Sequence, residues 1–360
     1  MSEAFSAEDY ERLAEACTEP GPWAYLAGGA ASESTLRANR AAFARWAFRP
    51  RVLVDVDAVT AATSVLGAEL SLPVILAPVA YQGLYREEGE LASARAARAE
   101  GTAICVSTLT TRTHREIAEA APGVVQWAQL YVLRDEGATR THLDEAVAAG
   151  CTAVVLTVDT PWLGRRERDL RAGFNVPSEL PLPYVRSTVG SAAHNPASHF
   201  RVLSASVTWR DIEWIAGATK LPVLLKGIVT REDAVLAVEH GAAGIVVSNH
   251  GGRQLDGAPA SLDALPEVVE AVAGRVDVLV DGGIRRGGDV VKALALGARA
   301  VLAGRAPVWG LCVDGEAGVR HVLSLLREEV VLTLALLGCA SPAEVTRAHV
   351  QPAVAYDRPV

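Results

Sequence analysis

Residues Val276–Gly297 read VDVLVDGGIRRGGDVVKALALG and decide the fold of this chain. A short run rich in Val and Leu comes first, and such a run is typical of a parallel strand that is buried on both faces. A glycine-rich turn follows. An amphipathic helical pattern then ends at Gly297, and glycine commonly ends a helix. The segment therefore predicts a strand, a turn and a helix, in that order.

The same kind of apolar run recurs along the chain. The other runs are Leu72–Val79, Thr102–Ser107, Val124–Tyr131, Ala153–Asp159, Leu221–Lys226, Gly244–Ser248 and Ala300–Ala303. Most of them start about 20 to 30 residues apart, with an amphipathic helical pattern between, as βαβ repeats require. Eight strand–helix units in series predict a closed (β/α)8 (TIM) barrel rather than an open sheet.

The segments around the barrel define one domain without a linker. Residues 1–70 predict an N-terminal extension of short helices with a hairpin around Gly67 that could plug the bottom of the barrel. Residues 71–310 form the predicted barrel core, and 311–360 predict C-terminal helices. From Thr160 to about Val207, after the fourth strand, the chain is rich in Pro, Ser, Arg and His. A long irregular loop of this kind is usually an active-site lid or a mobile segment.

Composition excludes several classes of function. Half of the 360 residues are hydrophobic, and the formal net charge is −8. The basic residues are scattered, so neither nucleic acid nor a membrane surface is predicted as a partner. The five cysteines lack metal-ligand spacing, and no metal site is predicted. The N-terminus lacks a signal peptide and no apolar stretch is suited to span a membrane, which predicts a cytoplasmic protein.

Two glycine-bearing turns follow the seventh and eighth strands. The first is the stretch Asp281–Gly288, and the second is the pair Gly304 and Arg305. Glycine lets backbone N–H groups approach an anion, and a helix N-terminus with arginines favours its charge. These are the usual phosphate-binding loops of such barrels. The alternative is a pair of structural turns with solvated arginines, but their placement after these two strands favours phosphate.

Candidate catalytic residues follow the sixth and fourth strands. His250 can exchange a proton near neutral pH, and Arg253 can hold a carboxylate. Asp159 could orient His250 and stabilise its protonated form. Of the paired arginines after Asp159, Arg166 could be a second carboxylate ligand, whereas Arg165 is predicted to lie at the surface.

Other polar residues at strand ends give weaker signals. Lys226 could either stabilise negative charge on a reduced cofactor or form a Schiff base, and its residue type does not separate the two. Gln129, Tyr131 and Ser107 are plausible polar contacts. The remaining histidines are predicted to be structural or solvated; these are His114, His142, His194, His199, His240, His321 and His349.

Several motifs together resemble one family. They are Ser248–Asp256 (SNHGGRQLD), Leu156–Arg166 (LTVDTPWLGRR), Gln129–Tyr131 (QLY), Leu225–Ile228 (LKGI) and Asp281–Gly287 (DGGIRRG). This set resembles the FMN-dependent α-hydroxy acid oxidases and dehydrogenases, and the similarity runs from about Tyr25 to the C-terminal helix. The resemblance implies FMN as cofactor and oxidation of a small 2-hydroxy acid to the 2-oxo acid.

The resemblance also implies residue roles. The FMN phosphate would lie on Gly283, Arg285, Gly304 and Arg305. The flavin ring would meet the Ala80 backbone, Ser107, Gln129, Thr157 and Lys226 (at the N1–O2 edge), with Ser248 and Asp281 also on the cofactor side. The substrate carboxylate would be held by Arg166 and Arg253, assisted by Tyr25. The substrate hydroxyl would face Tyr131 and His250, and His250 would take the hydroxyl proton. Asp159, paired with His250, would make the imidazole more basic. The α-hydrogen would leave as hydride, although a carbanion route uses the same residues.

Two positions bear on the substrate. Leu109 stands where plant glycolate oxidases carry Trp, which implies a wider pocket, and Tyr81 offers an aromatic wall with a hydroxyl. The branch most similar is that of the mandelate and hydroxymandelate oxidases, so we expect an aromatic (S)-2-hydroxy acid. Lactate or glycolate is the alternative. The family also implies a homotetramer, and the absence of a preceding haem domain favours O2, reduced to hydrogen peroxide, over a non-oxygen acceptor.

Rival classes remain at this point. A flavin-dependent isomerase, or an aldolase with Lys226 as Schiff base, would leave His250, Arg253 and Arg166 without a purpose. A non-enzymatic flavin-binding protein predicts that at least one of the catalytic set is missing, and none is. Fold alone does not decide among them, because one barrel supports many chemistries.

Overall fold

A computed structural model describes residues 4–185 and 196–353. The N-terminal extension contains the helices α1 (Ala7–Cys17), α2 (Pro20–Ala27) and α3 (Ser34–Ala44), and the strands β1 (Trp46–Phe48), β2 (Thr63–Val65) and β3 (Ala68–Leu70). Strands β2 and β3 form an antiparallel hairpin whose turn has positive φ at Leu66 and Gly67. The hairpin is where the sequence predicts it.

Eight parallel strands form the closed barrel that the sequence predicts. They are β4 (Val74–Leu76), β5 (Ala103–Val106), β6 (Val125–Leu130), β7 (Ala153–Thr157), β8 (Val223–Ile228), β9 (Gly244–Val247), β10 (Asp277–Asp281) and β11 (Ala300–Ala303). Each pairs with its neighbours in chain order, and β11 closes the barrel on β4. Nearly all their residues are buried, because side chains fill the interior and helices cover the outside. The fold prediction is therefore confirmed.

Helices connect the strands and cover the barrel. They are α4 (Glu90–Ala99), α5 (His114–Ala120), α6 (Glu136–Ala148), α7 (Glu167–Arg171), α8 (Pro196–Arg201), α9 (Arg210–Thr219), α10 (Arg231–Glu239), α11 (Ser261–Val272), α12 (Gly287–Ala295) and α13 (Arg305–Leu337). Side-chain caps begin several of them. Thr113, Asp135 and Thr230 each accept a hydrogen bond from a backbone N–H of the first turn, which satisfies an otherwise unpaired donor.

The hairpin closes the bottom of the barrel. Val65 and Leu70 pack in one buried cluster with barrel residues such as Ile75 and Leu302. The backbone N–H of Leu66 donates a hydrogen bond of 3.0 Å to Oδ2 of Asp277, at the start of β10. The opposite mouth, at the carboxyl ends of the strands, is therefore the end open to a ligand.

The C-terminal segment differs from the prediction of helices from 311 onward. Helix α13 already begins at Arg305, and a final strand, β12 (Val350–Pro352), pairs antiparallel with β1. The two paired segments lie near opposite ends of the chain, and a three-residue strand is too short to show a periodic pattern. The sequence therefore gives no indication of this pairing. Within the described residues, no helix has both the length and the apolar character that crossing a membrane requires.

The fourth connection covers the mouth and carries α7 and α8, although the sequence predicts an irregular loop. Its apolar side chains belong to a separate buried cluster over the mouth. That cluster contains Phe174, Val176, Leu180, Leu182, Val185 and Leu203 together with Tyr25, Tyr81, Leu109 and Tyr131. His194, which the sequence predicts to be structural or solvated, lies outside the described residues. The fourth connection thus packs against residues of the predicted active site.

Candidate active site

The side chains of His250 and Asp159 pair at the mouth of the barrel. Nδ1 of His250 lies 2.8 Å from Oδ1 of Asp159. Thr160 Oγ1 donates a hydrogen bond of 2.9 Å to the same carboxylate oxygen, and the backbone N–H of His250 donates to Ser248 Oγ at 3.0 Å. With Nδ1 turned to Asp159, Nε2 is left for the cavity, where it lies 3.4 Å from the Tyr131 hydroxyl. This is the geometry of a histidine oriented by a carboxylate.

The charges around His250 favour a neutral base. Burial lowers the pKa of His250 below its usual value, and Asp159 offsets part of that shift. Burial would raise the pKa of Asp159, but His250 and Lys226 lower it overall, so the carboxylate is ionised. Asp159 thus raises the pKa of His250, as the sequence predicts, but burial lowers that pKa by more. At neutral pH Nε2 of His250 can accept a proton, and Asp159 stabilises the imidazolium that forms.

Two arginines lie beside Tyr25 at the substrate side. Arg253 donates through Nη1 to the carbonyls of Tyr25 (2.6 Å) and Gly28 (2.7 Å), and its guanidinium lies 4.7 Å from the Tyr25 ring centroid. Arg166 is only 4% exposed, yet its Nε and Nη1 have no hydrogen-bond partner in the described part of the chain. Burial lowers the pKa of Arg166, and Arg253 adds to the shift. A buried guanidinium with free donors is a site for an anion.

Lys226 lines the cavity from strand β8. Its Nζ is 3.0 Å from Asp281 Oδ2 and donates to Ser248 Oγ at 3.0 Å. Burial would lower the pKa of Lys226, but Asp281 and Asp159 outweigh it and raise the pKa overall. Because a Schiff base requires the neutral amine, this ammonium ion disfavours the aldolase alternative. It favours the other role, which is to stabilise negative charge on a reduced cofactor.

The far end of the cavity has the features of a phosphate site. Gly283 has φ +85°, and a Cβ there would lie 2.3 Å from the Asn39 carbonyl oxygen, so only glycine fits. Burial lowers the pKa of Arg285 to about 10, and its guanidinium stacks 4.4 Å from the Trp309 ring centroid. Burial also lowers the pKa of Arg305. Buried Arg285 and half-buried Arg305, with the glycine turns after the neighbouring strands β10 and β11, suit a phosphate group.

Most of the predicted site residues line this one cavity. Its lining includes Tyr25, Ala80, Ser107, Leu109, Gln129, Tyr131, Thr157, Arg166, Lys226, His250, Arg253, Asp281, Gly283, Arg285, Gly304 and Arg305. Gln129 also donates to Thr157 Oγ1 at 3.0 Å, which ties two neighbouring strands at the cavity floor. Ser248 and Asp159 do not line the cavity. They support Lys226 and His250 from behind.

Tyr81 lies elsewhere than the sequence predicts. It is fully buried and does not line the cavity, because its ring packs behind Tyr25 with 5.4 Å between the ring centroids. Its hydroxyl lies 2.8 Å from Nδ1 of His199. Within the described part of the fourth connection, the aromatic side chain that lines the cavity is Phe200, which was not predicted from the sequence. The loop shows no periodicity that could have pointed to it, although an aromatic residue in a long mouth loop is a weak signal.

The fold and site define a TIM-barrel flavoenzyme. Residues 14–352 match the profile of the family described as FMN-dependent dehydrogenase, and the chain belongs to that family. An L-lactate oxidase from Nostoc sp. is 49% identical, over 94% of this chain and 95% of the relative. Glycolate oxidase 3 from Oryza sativa subsp. japonica is 48% identical, with 95% of each chain covered. A crystal structure of mandelate oxidase with (S)-4-hydroxymandelic acid superimposes with a TM-score of 0.92 at 45% identity, covering 98% of this chain and 100% of that chain.

These similarities establish the class of reaction. The protein is an FMN-dependent 2-hydroxy acid oxidase, and FMN is its cofactor, as the sequence predicts. The isomerase, aldolase and non-enzymatic alternatives are therefore excluded.

Proposed function

We propose that this enzyme oxidises an aromatic (S)-2-hydroxy acid, such as mandelate or 4-hydroxymandelate, to the 2-oxo acid and reduces O2 to hydrogen peroxide. The observation that carries the proposal is the buried guanidinium of Arg166. Its Nε and Nη1 lack partners in the described residues, and it lines the same cavity as His250 and Tyr131. An anionic group is needed there, next to a base and a hydroxyl, and a 2-hydroxy acid supplies both a carboxylate and an α-hydroxyl.

Two groups of residues hold the substrate, one at its carboxylate and one at its α-hydroxyl. Arg166 and Arg253 hold the carboxylate, with Tyr25 beside them. The α-hydroxyl lies between the Tyr131 hydroxyl and Nε2 of His250, which are 3.4 Å apart. Burial raises the pKa of Tyr131 far above its usual value, so this phenol stays protonated and can donate a hydrogen bond to the substrate oxygen.

Proton transfer is the task of His250. Nε2 takes the hydroxyl proton, and Asp159 stabilises the resulting imidazolium at 2.8 Å. The α-hydrogen departs with the electron pair of the C–H bond, and the C=O bond of the oxo acid forms. FMN, when bound, supplies the acceptor of those two electrons. Lys226 places a positive charge where the reduced cofactor is negative.

The cofactor contacts follow from the lining of the cavity. We place the phosphate on Gly283, Arg285, Gly304 and Arg305, which lie together at one end. Ala80, Ser107, Gln129, Thr157 and Lys226 would hold the flavin ring, and Asp281 and Ser248 would act through Lys226.

The substrate side chain is the finer part of the proposal. Leu109 and Phe200 give the cavity an apolar boundary on the side of the fourth connection. A phenyl group fits such a boundary better than a hydrogen atom does, since burial of apolar area is favourable. The related mandelate oxidase has been solved with (S)-4-hydroxymandelic acid and with (S)-2-phenylpropionate. Lactate or glycolate is the second candidate, because an L-lactate oxidase and glycolate oxidases are 48% to 49% identical. A dehydrogenase with a non-oxygen acceptor is the alternative to peroxide formation.

Assembly and location complete the proposal. We propose a homotetramer in the cytoplasm. Light scattering behind a size-exclusion column measures the molar mass, and a monomeric holoenzyme would contradict the tetramer. Fractionation of the source cells would test the compartment.

The main test follows the flavin directly. Purified holoenzyme is mixed anaerobically with (S)-mandelate, (R)-mandelate, (S)-lactate and glycolate, and flavin absorbance is recorded by stopped flow. We expect (S)-mandelate to bleach the flavin fastest, and oxygen then to restore the colour with one hydrogen peroxide per turnover. Faster bleaching by lactate or glycolate would replace the aromatic substrate. Slow reoxidation by O2, with fast reoxidation by a quinone or a dye, would replace oxygen as acceptor.

A further inference from the structure

Phe200 touches both residues that hold the reacting part of the substrate. Its ring packs edge-on against Tyr131, with 5.8 Å between ring centroids. The guanidinium of Arg166 lies 5.7 Å from the centroid of the Phe200 ring. Phe200 is half-buried in α8 and lines the cavity itself. Its ring therefore lies next to the positions of both the carboxylate and the hydroxyl.

Stereochemistry determines where the substrate side chain points. In the proposed function, the carboxylate is on Arg166 and the hydroxyl is between Tyr131 and His250. The α-hydrogen would then face the residues proposed to hold the flavin ring, such as Gln129 and Lys226 on the barrel strands. The fourth substituent of a tetrahedral carbon then points away from these residues, toward the fourth connection. Phe200 is the aromatic lining residue that the described residues of this connection contribute.

The neighbour of Phe200 is fastened to the first βα loop. Nδ1 of His199 lies 2.8 Å from the Tyr81 hydroxyl, and both side chains are buried, at 4% and 0% exposure. The backbone N–H of Tyr81 donates to the Leu109 carbonyl at 3.0 Å. Helix α8 is thus tied to the loops that carry Tyr81 and Leu109. Since His199 and Phe200 are adjacent in one short helix, a shift of His199 moves Phe200.

We propose that Phe200 is a specificity-determining residue for the side chain of the 2-hydroxy acid, and that His199 is a positioning residue that holds it through Tyr81. The inference rests on the proposed function and deepens it. The favoured side chain is aromatic, because two rings gain from an edge-on or offset contact beyond the area they bury. A lactate methyl group reaches the Phe200 ring less fully and gains less from it.

The first experiment compares two substrates in one set of variants. For Phe200→Ala and Phe200→Leu we expect kcat/KM for (S)-mandelate to fall about tenfold relative to kcat/KM for (S)-lactate. The rate of flavin reduction by saturating lactate should fall less than the rate with saturating mandelate, since the lactate methyl group gains less from the Phe200 ring. The dissociation constant of benzoate, read from the flavin spectrum, should rise with Phe200→Ala, which gives a readout apart from turnover. Arg201→Gln, an exposed position in the same helix, is the matched control and should change neither ratio.

The second experiment tests the positioning role. His199→Leu removes the hydrogen bond to Tyr81, whereas His199→Asn keeps an amide near the place of Nδ1. We expect His199→Leu to raise KM for mandelate several-fold at nearly unchanged kcat, and His199→Asn to restore most of that loss. Tyr81→Phe should reproduce the effect of His199→Leu.

The outcomes separate the inference from the proposed function. If no hydroxy acid bleaches the wild-type flavin, the proposed function fails. If the wild type is bleached but Phe200→Ala and Phe200→Leu leave the mandelate-to-lactate ratio unchanged, the inference about Phe200 is overturned while the function stands. If His199→Leu and His199→Asn behave alike, the positioning role of His199 is overturned. Phe200→Leu keeps the apolar volume, so the test survives if Phe200→Ala does not fold.

Discussion

Nδ1 of His250 and Oδ1 of Asp159 lie 2.8 Å apart, although the two residues are separated by 91 positions and follow different strands. The pair is almost enclosed, with 17% and 12% of the two side chains exposed. Burial lowers the pKa of His250 and the carboxylate counteracts it. The imidazole is therefore neutral before the reaction and paired with a negative charge after it, which is what a proton acceptor needs.

Replacement of Asp159 should move the pH dependence in a defined direction. Asp159 is the group that raises the pKa of His250, so Asp159→Asn should lower that pKa further. The acid limb of the flavin reduction rate reports this deprotonation, and it should move to lower pH. The maximal rate should fall by about 100- to 10,000-fold, since the imidazolium loses its counter-ion. Asp159→Glu, which keeps the charge, should hold the limb near its wild-type position. A limb that moves to higher pH would contradict this assignment.

Removal of the Arg166 charge should separate stability from activity. The buried guanidinium has unpartnered donors, and leaving such a group unpaired is costly. Arg166→Met should therefore raise the free energy of unfolding of the apoprotein by about 1 kcal/mol, after the lost contacts with the Tyr25 and Phe200 rings are included. It should also lower kcat/KM at least 100-fold, because the substrate carboxylate loses its main partner.

Urea unfolding and steady-state kinetics measure the two effects of Arg166→Met. The neighbouring exposed Arg165→Met is the matched control, and its free energy of unfolding should change by less than about 0.5 kcal/mol. A destabilised Arg166→Met would show that the guanidinium is already satisfied in the absence of substrate. An unchanged kcat/KM would show that Arg166 does not hold the substrate carboxylate.

The sequence was sufficient for the parts of the site that the barrel itself fixes. Asp159, His250 and the turn at Gly283 follow the ends of strands, and Lys226 lies in the carboxyl-terminal half of β8. The carboxyl ends of the strands converge at one mouth whatever the loops do. An apolar run followed by a polar residue therefore places that residue in the cavity or directly behind it. This is why the eight strands and most cavity-lining residues could be predicted together.

The residues that the sequence missed depend on long-range packing of loops. Tyr81 and His199 are 118 positions apart, and nothing local says that one hydroxyl turns toward the other rather than into the cavity. Phe200 lies in a helix of six residues, too short for an amphipathic period. The pairing of β1 with β12 was not predicted, because each strand has only three residues and shows no periodic pattern.

Lys226 should set the redox potential of the bound flavin. Its ammonium group is buried against Asp281, and its pKa is raised despite burial. Lys226→Met should lower the two-electron midpoint potential by about 60 mV, which corresponds to about 2.8 kcal/mol less stabilisation of the reduced form. Lys226→Arg keeps the charge and should recover most of the potential. A reductive titration with a reference dye measures it, and an unchanged potential in Lys226→Met would place the lysine away from the ring.

A second pair of histidines, outside the active site, should make the fold sensitive to acid. His114 and His142 are fully buried with 3.1 Å between their Nε2 atoms, and His142 stacks on Tyr184 at 4.0 Å between ring centroids. Burial lowers the pKa of His114 to about 3 and that of His142 well below the usual value. Both are therefore neutral in the folded chain near neutral pH.

The sign of the effect follows from which state binds the protons. An unfolded histidine has a pKa of about 6.5, so below that pH the unfolded chain takes up protons that the folded chain refuses. Burial of the two neutral histidines leaves the free energy of unfolding at its full value above about pH 6.5. That free energy then falls as the pH falls toward the folded pKa of His114, about 3. Each of the two histidines contributes a slope of up to about 1.4 kcal/mol per pH unit to the free energy of unfolding in that window.

His142→Gln should remove one of these two contributions, and urea unfolding between about pH 7.5 and 5 measures the slope. His240→Gln, at an exposed histidine, is the control and should keep the wild-type slope. If His142→Gln keeps it as well, the imidazoles are protonated in the folded chain, and the buried pair is not a neutral one.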